Sequence, residues 1–449
     1  MASPDPAQGH PTASLVASAN NPDDDGFFKS AQWSADGTTI FTSSSTNKIN
    51  SYILPEDLLS SPSPPLPLSP QGTIHLPEPT HAIAPAPYFS LENPYTHLIL
   101  TGATDHPLQL HHAFPQSQPP SSPSSSLSSA PSPSSSQPPL ATYPLIHAPT
   151  EAYQTPTALL WPLPGSHFLA GTRNLIAYFD ATRSGRDSEP VLRIPTIPSA
   201  RTNLKGGGVG MRGTVSALSV QQGEGVAGLI AAGTWTRWVG LYDLLRAGEC
   251  AATWSVKGPA AGEGGEDMNP DAMGGGRRGG GVGGQGILQT IWSPCGRYLV
   301  VNERRSRGML VYDVRVTGRL LGWLADRDGD TQQRLSCDVY PGSEGRGGFE
   351  VWAGTRDGTV KVWEGVGRKE GYLEREWEWK GHESAVGSAA MHSCGSVVAT
   401  CSGAWRLLDE DEAEEGGGVR PMTKIEESEL KIWSIKGASA GDDEDKAQA

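Results

Sequence analysis

The chain has 449 residues, with 35 Lys and Arg against 49 Asp and Glu, for a formal net charge of −14. The acidic balance argues against indiscriminate nucleic-acid binding, since the field of the whole molecule repels phosphate, but it leaves room for a local basic site. Apolar runs stay as short as Leu98–Leu100 and Leu229–Ala232, so no membrane-spanning helix and no membrane partner is expected. The five cysteines (Cys250, Cys295, Cys337, Cys394, Cys401) are odd in number and contain no CxxC, which excludes a disulfide framework and a cysteine-built zinc site. Met1–His10 has neither the basic nor the apolar region of a secretory leader, and a soluble intracellular protein is the expectation.

In chain order, residues 1–12 are expected to be a disordered tail, and Ser14–Ser18 a strand that completes the last structural repeat. Phe28 to Trp33, the turn Ser34-Ala-Asp-Gly37, Thr39 to Thr42 and Ile49 to Tyr52 read as three strands joined by tight turns. The same pattern returns in Ile287 to Trp292, Ser293-Pro-Cys-Gly296, Tyr298 to Val301 and Met309 to Asp313. It returns again in Val351-Trp-Ala-Gly-Thr-Arg-Asp-Gly-Thr-Val-Lys-Val-Trp363, and a final copy opens on Gly381-His382. Small residues, a tight polar turn and an aromatic followed by an acid mark the WD-type repeat.

Aligning the closing position of each third strand gives Tyr52, His111, Phe179, Tyr242, Tyr312, Trp363 and Trp433. Successive positions lie 51 to 70 residues apart, whereas a bare repeat takes about 40–45. The excess falls in three insertions whose composition cannot offset chain entropy: a Ser/Pro/Gln segment at 115–139, a Gly-rich segment at 257–286 and an acidic Gly-rich segment at 404–428. Seven such units predict an all-β, seven-bladed WD40-type β-propeller over residues 13–437, followed by an acidic disordered tail at 438–449. His382 is expected to be a structural hydrogen-bonding residue, and Trp363 and Trp433 structural closing aromatics.

Several segments then resemble one family. Phe27-Phe-Lys29 before Trp33-Ser-Ala-Asp-Gly37, Gly171-Thr-Arg-Asn-Leu-Ile-Ala-Tyr-Phe179 before Arg183-Ser-Gly-Arg-Asp187, and Ala232-Gly-Thr-Trp-Thr-Arg-Trp-Val-Gly-Leu-Tyr242 are similar to repeats of the telomerase Cajal body protein family. Thr331-Gln-Gln-Arg334 followed by Asp338, and Ala399-Thr-Cys-Ser-Gly403 with a late acidic insertion before Leu430-Lys-Ile-Trp433, resemble it too. His111 stands where that family's pattern has Trp. The resemblance covers all seven repeats and suggests a divergent, fungal-like member. It implies a nuclear protein, in a Cajal-body-like compartment and also in the cytoplasm. It further implies an adaptor for small nuclear box H/ACA-type or telomerase RNA and its ribonucleoprotein proteins. A monomer without cofactor is expected, and a protein scaffold in pre-mRNA splicing or another nuclear assembly is the alternative.

In a WD-type blade, the turn between the second and third strands and the loop into the next blade share one rim. Arg173, Arg237, Arg304, Arg305, Arg307 and Arg356 fall at those turns, with Arg277-Arg278 and Lys205 to Arg212 in loops on the same side. Arginine suits RNA because its planar fork binds phosphate or stacks on a base. Trp235 and Trp238 flank Arg237 as a stacking platform, with one of the two expected in the core. Each arginine has a plainer reading as half of an ion pair with a neighbouring blade, and Glu303 and Asp357 sit beside two of them. Arg334, part of the family-like motif, either contacts RNA or bridges blades.

No catalytic or metal constellation stands out. Asp326-x-Asp328-x-Asp330 opens like a calcium loop, but Cys337 falls where its bidentate Glu belongs. Gly437-Ala-Ser439-Ala-Gly441 matches a nucleophile elbow without a strand–turn–helix around it, and the glycine run 274–286 lacks a βαβ setting. His111-His112, and His392 with Cys394, have no third ligand at a plausible spacing. The expectation is a non-catalytic protein.

Overall fold

The computed structural model describes residues 11–23, 26–60, 64–115, 138–147, 149–185, 188–197, 211–221, 228–260, 281–342, 347–407, 423–425 and 427–437. Most of the Ser/Pro segment, Arg186-Asp187, Lys205, Arg277-Arg278, the run 409–415 and the tail 438–449 lie outside the described residues.

Period-two alternation and β-branched or aromatic residues between Gly, Asp and Ser turns give short, mostly antiparallel strands, and among the described residues these form seven blade sheets beside two two-stranded ribbons. Blade 1 holds Phe28–Trp33, Thr39–Ser44, Lys48–Ile53 and Gly72–His75 in that spatial order. Blade 2 holds Thr80–Pro85, Leu98–Ala103, Leu108–His112 and Ala141–Tyr143; blade 3 holds Ala158–Leu160, His167–Thr172, Leu175–Asp180 and Leu192–Pro195. Blade 4 runs Val215–Val220, Leu229–Thr234, Trp238–Asp243 and Glu249–Ser255, and blade 5 Ile287–Trp292, Tyr298–Glu303, Met309–Asp313 and Leu320–Leu324. Blade 6 runs Cys337–Pro341, Phe349–Gly354, Thr359–Val366 and Trp377–Lys380. Blade 7 takes Val386–Met391, Val397–Ser402 and Glu429–Lys436 from the end of the chain and its outer strand, Thr12–Asn20, from the beginning. That outer strand pairs antiparallel from Thr12 opposite Lys436 to Asn20 opposite Glu429, which closes the ring.

The seven closing residues share one place in the register. Tyr52 lies opposite Ile40, His111 opposite Ile99, Phe179 opposite Phe168 and Tyr242 opposite Ile230. Tyr312 faces Leu299, Trp363 faces Val351 and Trp433 faces Val398. All fourteen are buried, so each pair contributes apolar burial worth about 1.5–3 kcal/mol per side chain. His111 fills a tryptophan's place as a neutral imidazole, because burial pushes its pKa down to about 4.

Side chains of the innermost strands fasten blade to blade. Thr157 Oγ1 donates to Val215 O (2.6 Å), Ser216 Oγ to Ile287 O (2.5 Å), and Ser388 Oγ to Ala31 O (2.9 Å). The Gln289 amide pairs with both Cys337 N and Cys337 O at 2.9 Å, as a further strand residue would.

The described residues reach further into the insertions than composition suggests. Lys257–Ala260 forms one helical turn, and Ala260 and Val282 are buried in the core cluster of blades 4 and 5. Trp323 Nε1 donates to Pro259 O at 3.1 Å, so two apolar side chains and one carbonyl anchor both ends of the glycine segment. Trp405–Leu407 pairs with Thr423–Ile425 within the acidic insertion, and Glu427 and Ser428 contact the blade. Thr12 belongs to the closing strand rather than to the tail. Among the described residues, no helix is long and apolar enough to cross a membrane.

Candidate functional site

The turns between second and third strands lie on one rim with the loops that enter the blades. Isolated bridges tie Arg173 to Thr214, Gly283 to Ser306 and Ser306 to Gly329. Several of these turns need a left-handed residue: Asn47 (φ 61°), Asn174 (φ 58°), Arg237 (φ 69°) and Gly358 (φ 89°). At Gly358 a Cβ would lie 1.9 Å from His382 O, so only glycine fits. Arg237 occupies the equivalent left-handed position with a full side chain, at a backbone cost of about 1–2 kcal/mol.

What offsets that cost is a bidentate ion pair. Arg237 Nε and Nη2 donate to the two oxygens of Glu303 at 2.7 and 2.8 Å, and Nη2 also reaches Gly283 O (3.3 Å). The Glu303 side chain is 2% exposed; burial pushes its pKa up against the pull of Arg237. Two further rim arginines are paired as well. Arg305 Nε donates to Asp330 (2.9 Å) and holds it below the usual carboxylate range, and Arg356 Nε lies 3.3 Å from Asp328. The three aspartates of the calcium-loop look-alike therefore serve as arginine partners, Asp326 pairing with Lys361 and Arg375. Asp357 instead closes its own turn with Thr355 and Thr359. Arg173 and Arg307 are exposed on the same rim.

The two tryptophans part company. Trp238 is half-buried against the core of blades 3 and 4, whereas Trp235 is 48% exposed. The Arg304 guanidinium lies 6.0 Å from the Trp235 ring centroid, within cation–π range. Across the rim, Trp405 is also exposed and meets Phe27 edge-on at 5.4 Å.

Arg334 sits just before the first strand of blade 6, and its Nη2 donates to Leu288 O of blade 5 (3.0 Å). Its side chain is exposed, and its bond to the innermost strand of blade 5 puts it at the inner edge of the ring.

Two positions escaped the sequence reading. Arg327 is 2% exposed and donates to Gly354 O (3.0 Å), Asn302 Oδ1 (2.6 Å) and Leu335 O (3.0 Å), a cation held by neutral acceptors between blades 5 and 6. Its place inside an Asp-rich loop gave no hint of burial. Lys29 lies on the innermost strand of blade 1 and donates to Thr80 O of blade 2 at 3.1 Å. A lysine between Phe28 and Ala31 is the signal that marked it.

The structural residues form a network in blade 7. Thr400 Oγ1 lies 2.7 Å from His382 Nε2 and accepts from Trp433 Nε1 at 2.8 Å. Glu427 accepts from Lys431 Nζ (2.9 Å) and Ser384 N (3.1 Å), with His382 Nδ1 at 3.7 Å. Burial alone would raise the Glu427 pKa, but these partners hold it well below the usual range. His382, Glu427 and Glu429 could together face a cation, and Lys431 already sits there on both carboxylates. Trp363 is fully buried and donates to Ala325 O at 3.1 Å.

A closed ring of seven four-stranded blades, with paired arginines and an exposed tryptophan on one rim, defines a WD-type β-propeller. No family model matches the chain. Relatives do. It is 23% identical over 94% of its length to mouse Telomerase Cajal body protein 1, covering 69% of that protein, and 23% identical over 91% of its length to the golden hamster protein, covering 65%. It is also 22% identical to the fission-yeast Guanine nucleotide-binding protein negative regulator 1, over 91% of this chain and 88% of the other. The chain is a divergent relative of these proteins.

Proposed function

We propose that this propeller is a non-catalytic nuclear adaptor that binds a small nuclear RNA of box H/ACA type, or its ribonucleoprotein, and supports its localisation or maturation. The nuclear and telomerase-linked setting rests on the names of the mammalian relatives. The observation that carries RNA is the exposed Trp235 with the Arg304 guanidinium over it, on a rim where Arg173 and Arg307 are also exposed. An aromatic face beside a cation suits an unpaired base and its phosphate.

Ultraviolet crosslinking of the tagged protein in its own cells, followed by sequencing of the attached RNA, tests this. H/ACA-type RNA should be enriched, and Trp235→Ala should reduce recovery several-fold without shifting the thermal midpoint. Absence of crosslinked RNA would overturn the reading. A protein–protein scaffold is the second reading, supported by two observations. The ion pairs of Arg237, Arg305 and Arg356 neutralise much of the rim, and the fission-yeast relative is named as a regulator of a protein. Partners recovered equally with and without nuclease would favour it.

A further inference from the structure

The innermost strands of five blades carry a bulge at one level of the ring, between Phe28 and Ser30, Thr80 and Ala82, Val215 and Ala217, Ile287 and Gln289, and Val386 and Ser388. A bulge leaves one residue out of the ladder and re-aims its side chain. In blade 1 that residue is Lys29, and in blade 5 it is Leu288, whose carbonyl holds Arg334 at 3.0 Å. Lys29 and Arg334 are thus attached at the same level of the channel from blades on different sides of it. In blade 7 the residue is Gly387, where a Cβ would lie 2.6 Å from Lys29 O, so the wall between blade 6 and blade 1 is stripped to backbone.

A third cation stands above them. Arg304 lies on the rim turn of blade 5, with its Nε buried and without a hydrogen-bond partner among the described residues. Among the described residues neither Lys29 nor Arg304 has a carboxylate within ion-pair distance, and Glu303, Asp330 and Asp328 are paired with Arg237, Arg305 and Arg356. The three charges feel one another. Burial and then Arg334 lower the Lys29 pKa, and burial and then Arg304 lower that of Arg334. Like charges gathered in a partly desolvated mouth are stabilised when an anion enters.

We propose that the mouth of the axial channel on this rim is a phosphate seat, in which Lys29, Arg304 and Arg334 together hold one phosphate group of a single-stranded RNA while Trp235 stacks on an adjacent base. This rests on the RNA reading above and moves its centre from the outer arginines to the channel. The outer pairs Arg305–Asp330 and Arg356–Asp328 are charge-neutral, so an RNA strand gains little from them. Guanidinium forks match the oxygens of phosphate and carboxylate alike; what favours the phosphate of a nucleic acid is the aromatic face beside the seat, which offers a base a surface to stack on.

The test uses the full chain and a short fluorescein-labelled single-stranded RNA of mixed sequence, read by anisotropy over a salt series. Lys29→Gln with Arg304→Gln should weaken binding roughly tenfold and flatten the salt dependence, each lost phosphate contact being worth about 0.7 in the logarithmic slope. Arg305→Gln with Arg356→Gln should change affinity less than about twofold. Lys29→Arg should retain binding, which separates loss of charge from loss of fold. The reverse pattern, with the outer variant weakened and the inner one unchanged, overturns the seat and leaves RNA binding in place. If the wild type binds no RNA, the RNA reading falls. Tripolyphosphate then decides the seat: raising the thermal midpoint of the wild type but not of the inner variant keeps it as a site for small polyphosphates, and no shift in either removes it.

Discussion

Replacing Arg237 by Ala should unfold this protein more readily rather than simply remove a surface charge. The guanidinium makes two hydrogen bonds, at 2.7 and 2.8 Å, to a carboxylate whose side chain is 2% exposed. Removing one partner of a buried pair leaves the other charged and unpaired, at a cost of about 3–5 kcal/mol. Arg237 itself is 18% exposed, so water can enter the vacated space, and about 3 kcal/mol is expected near neutral pH. The pH dependence gives the cause away. Glu303 is already pushed above its ordinary value by burial, and without Arg237 it rises further. The folded variant then holds a proton that the unfolded chain has lost, so its stability falls as pH rises from the ordinary glutamate value through the raised one. Urea midpoints of wild type and Arg237→Ala should therefore diverge more at a pH well above the ordinary glutamate range than at one within it. Adding Glu303→Leu should restore much of the loss, because an apolar side chain of similar size needs no cation. A variant within about 0.5 kcal/mol of wild type at neutral pH, or one destabilised equally at both pH values, would refute this. It also follows that lost RNA recovery in Arg237→Ala is to be read only beside a folding measurement.

Other consequences can be checked in the same way. Asp338 accepts from Met391 N (2.8 Å) and Val339 N (2.9 Å), but burial raises its pKa to about 6. Its carboxylate should thus cost stability as pH rises from about 4 to about 6, and Asp338→Asn should abolish that slope in urea titrations; an unchanged slope would count against it. Thr400→Val strips the acceptor from Trp433 Nε1 and the partner from His382 Nε2, with an expected loss of about 2–4 kcal/mol that chemical denaturation would detect. Deleting residues 1–20 removes the strand that pairs with Glu429–Lys436 and bares an unpaired edge, so light scattering should show association. A monomer with the wild-type thermal midpoint would argue against ring closure through that strand. Cys337 and Cys401 are buried with thiol pKa values pushed up to about 12 by burial, so iodoacetamide on the folded protein should label the exposed Cys250, Cys295 and Cys394 first.

The ring was legible in the residue pattern of the chain. Closing aromatics after tight turns and the closing strand near residue 14 are local signals, set by alternation and turn chemistry that each repeat carries within its own residues. Composition also marked the three insertions, although single apolar residues such as Ala260 and Val282, averaged out in a glycine run, belong to the core. The pairing of charges comes from the assembled ring. Arg237 reaches Glu303 of the next blade, while Arg305 of blade 5 and Arg356 of blade 6 meet Asp330 and Asp328 of the loop between those blades. Those distances depend on ring curvature, which no local window contains. For the same reason Lys29 and Arg334, far apart in sequence, are brought to one level of the channel by bulges in different blades. Strand patterns fix which face a side chain takes; only closure of the ring fixes which charges meet across it.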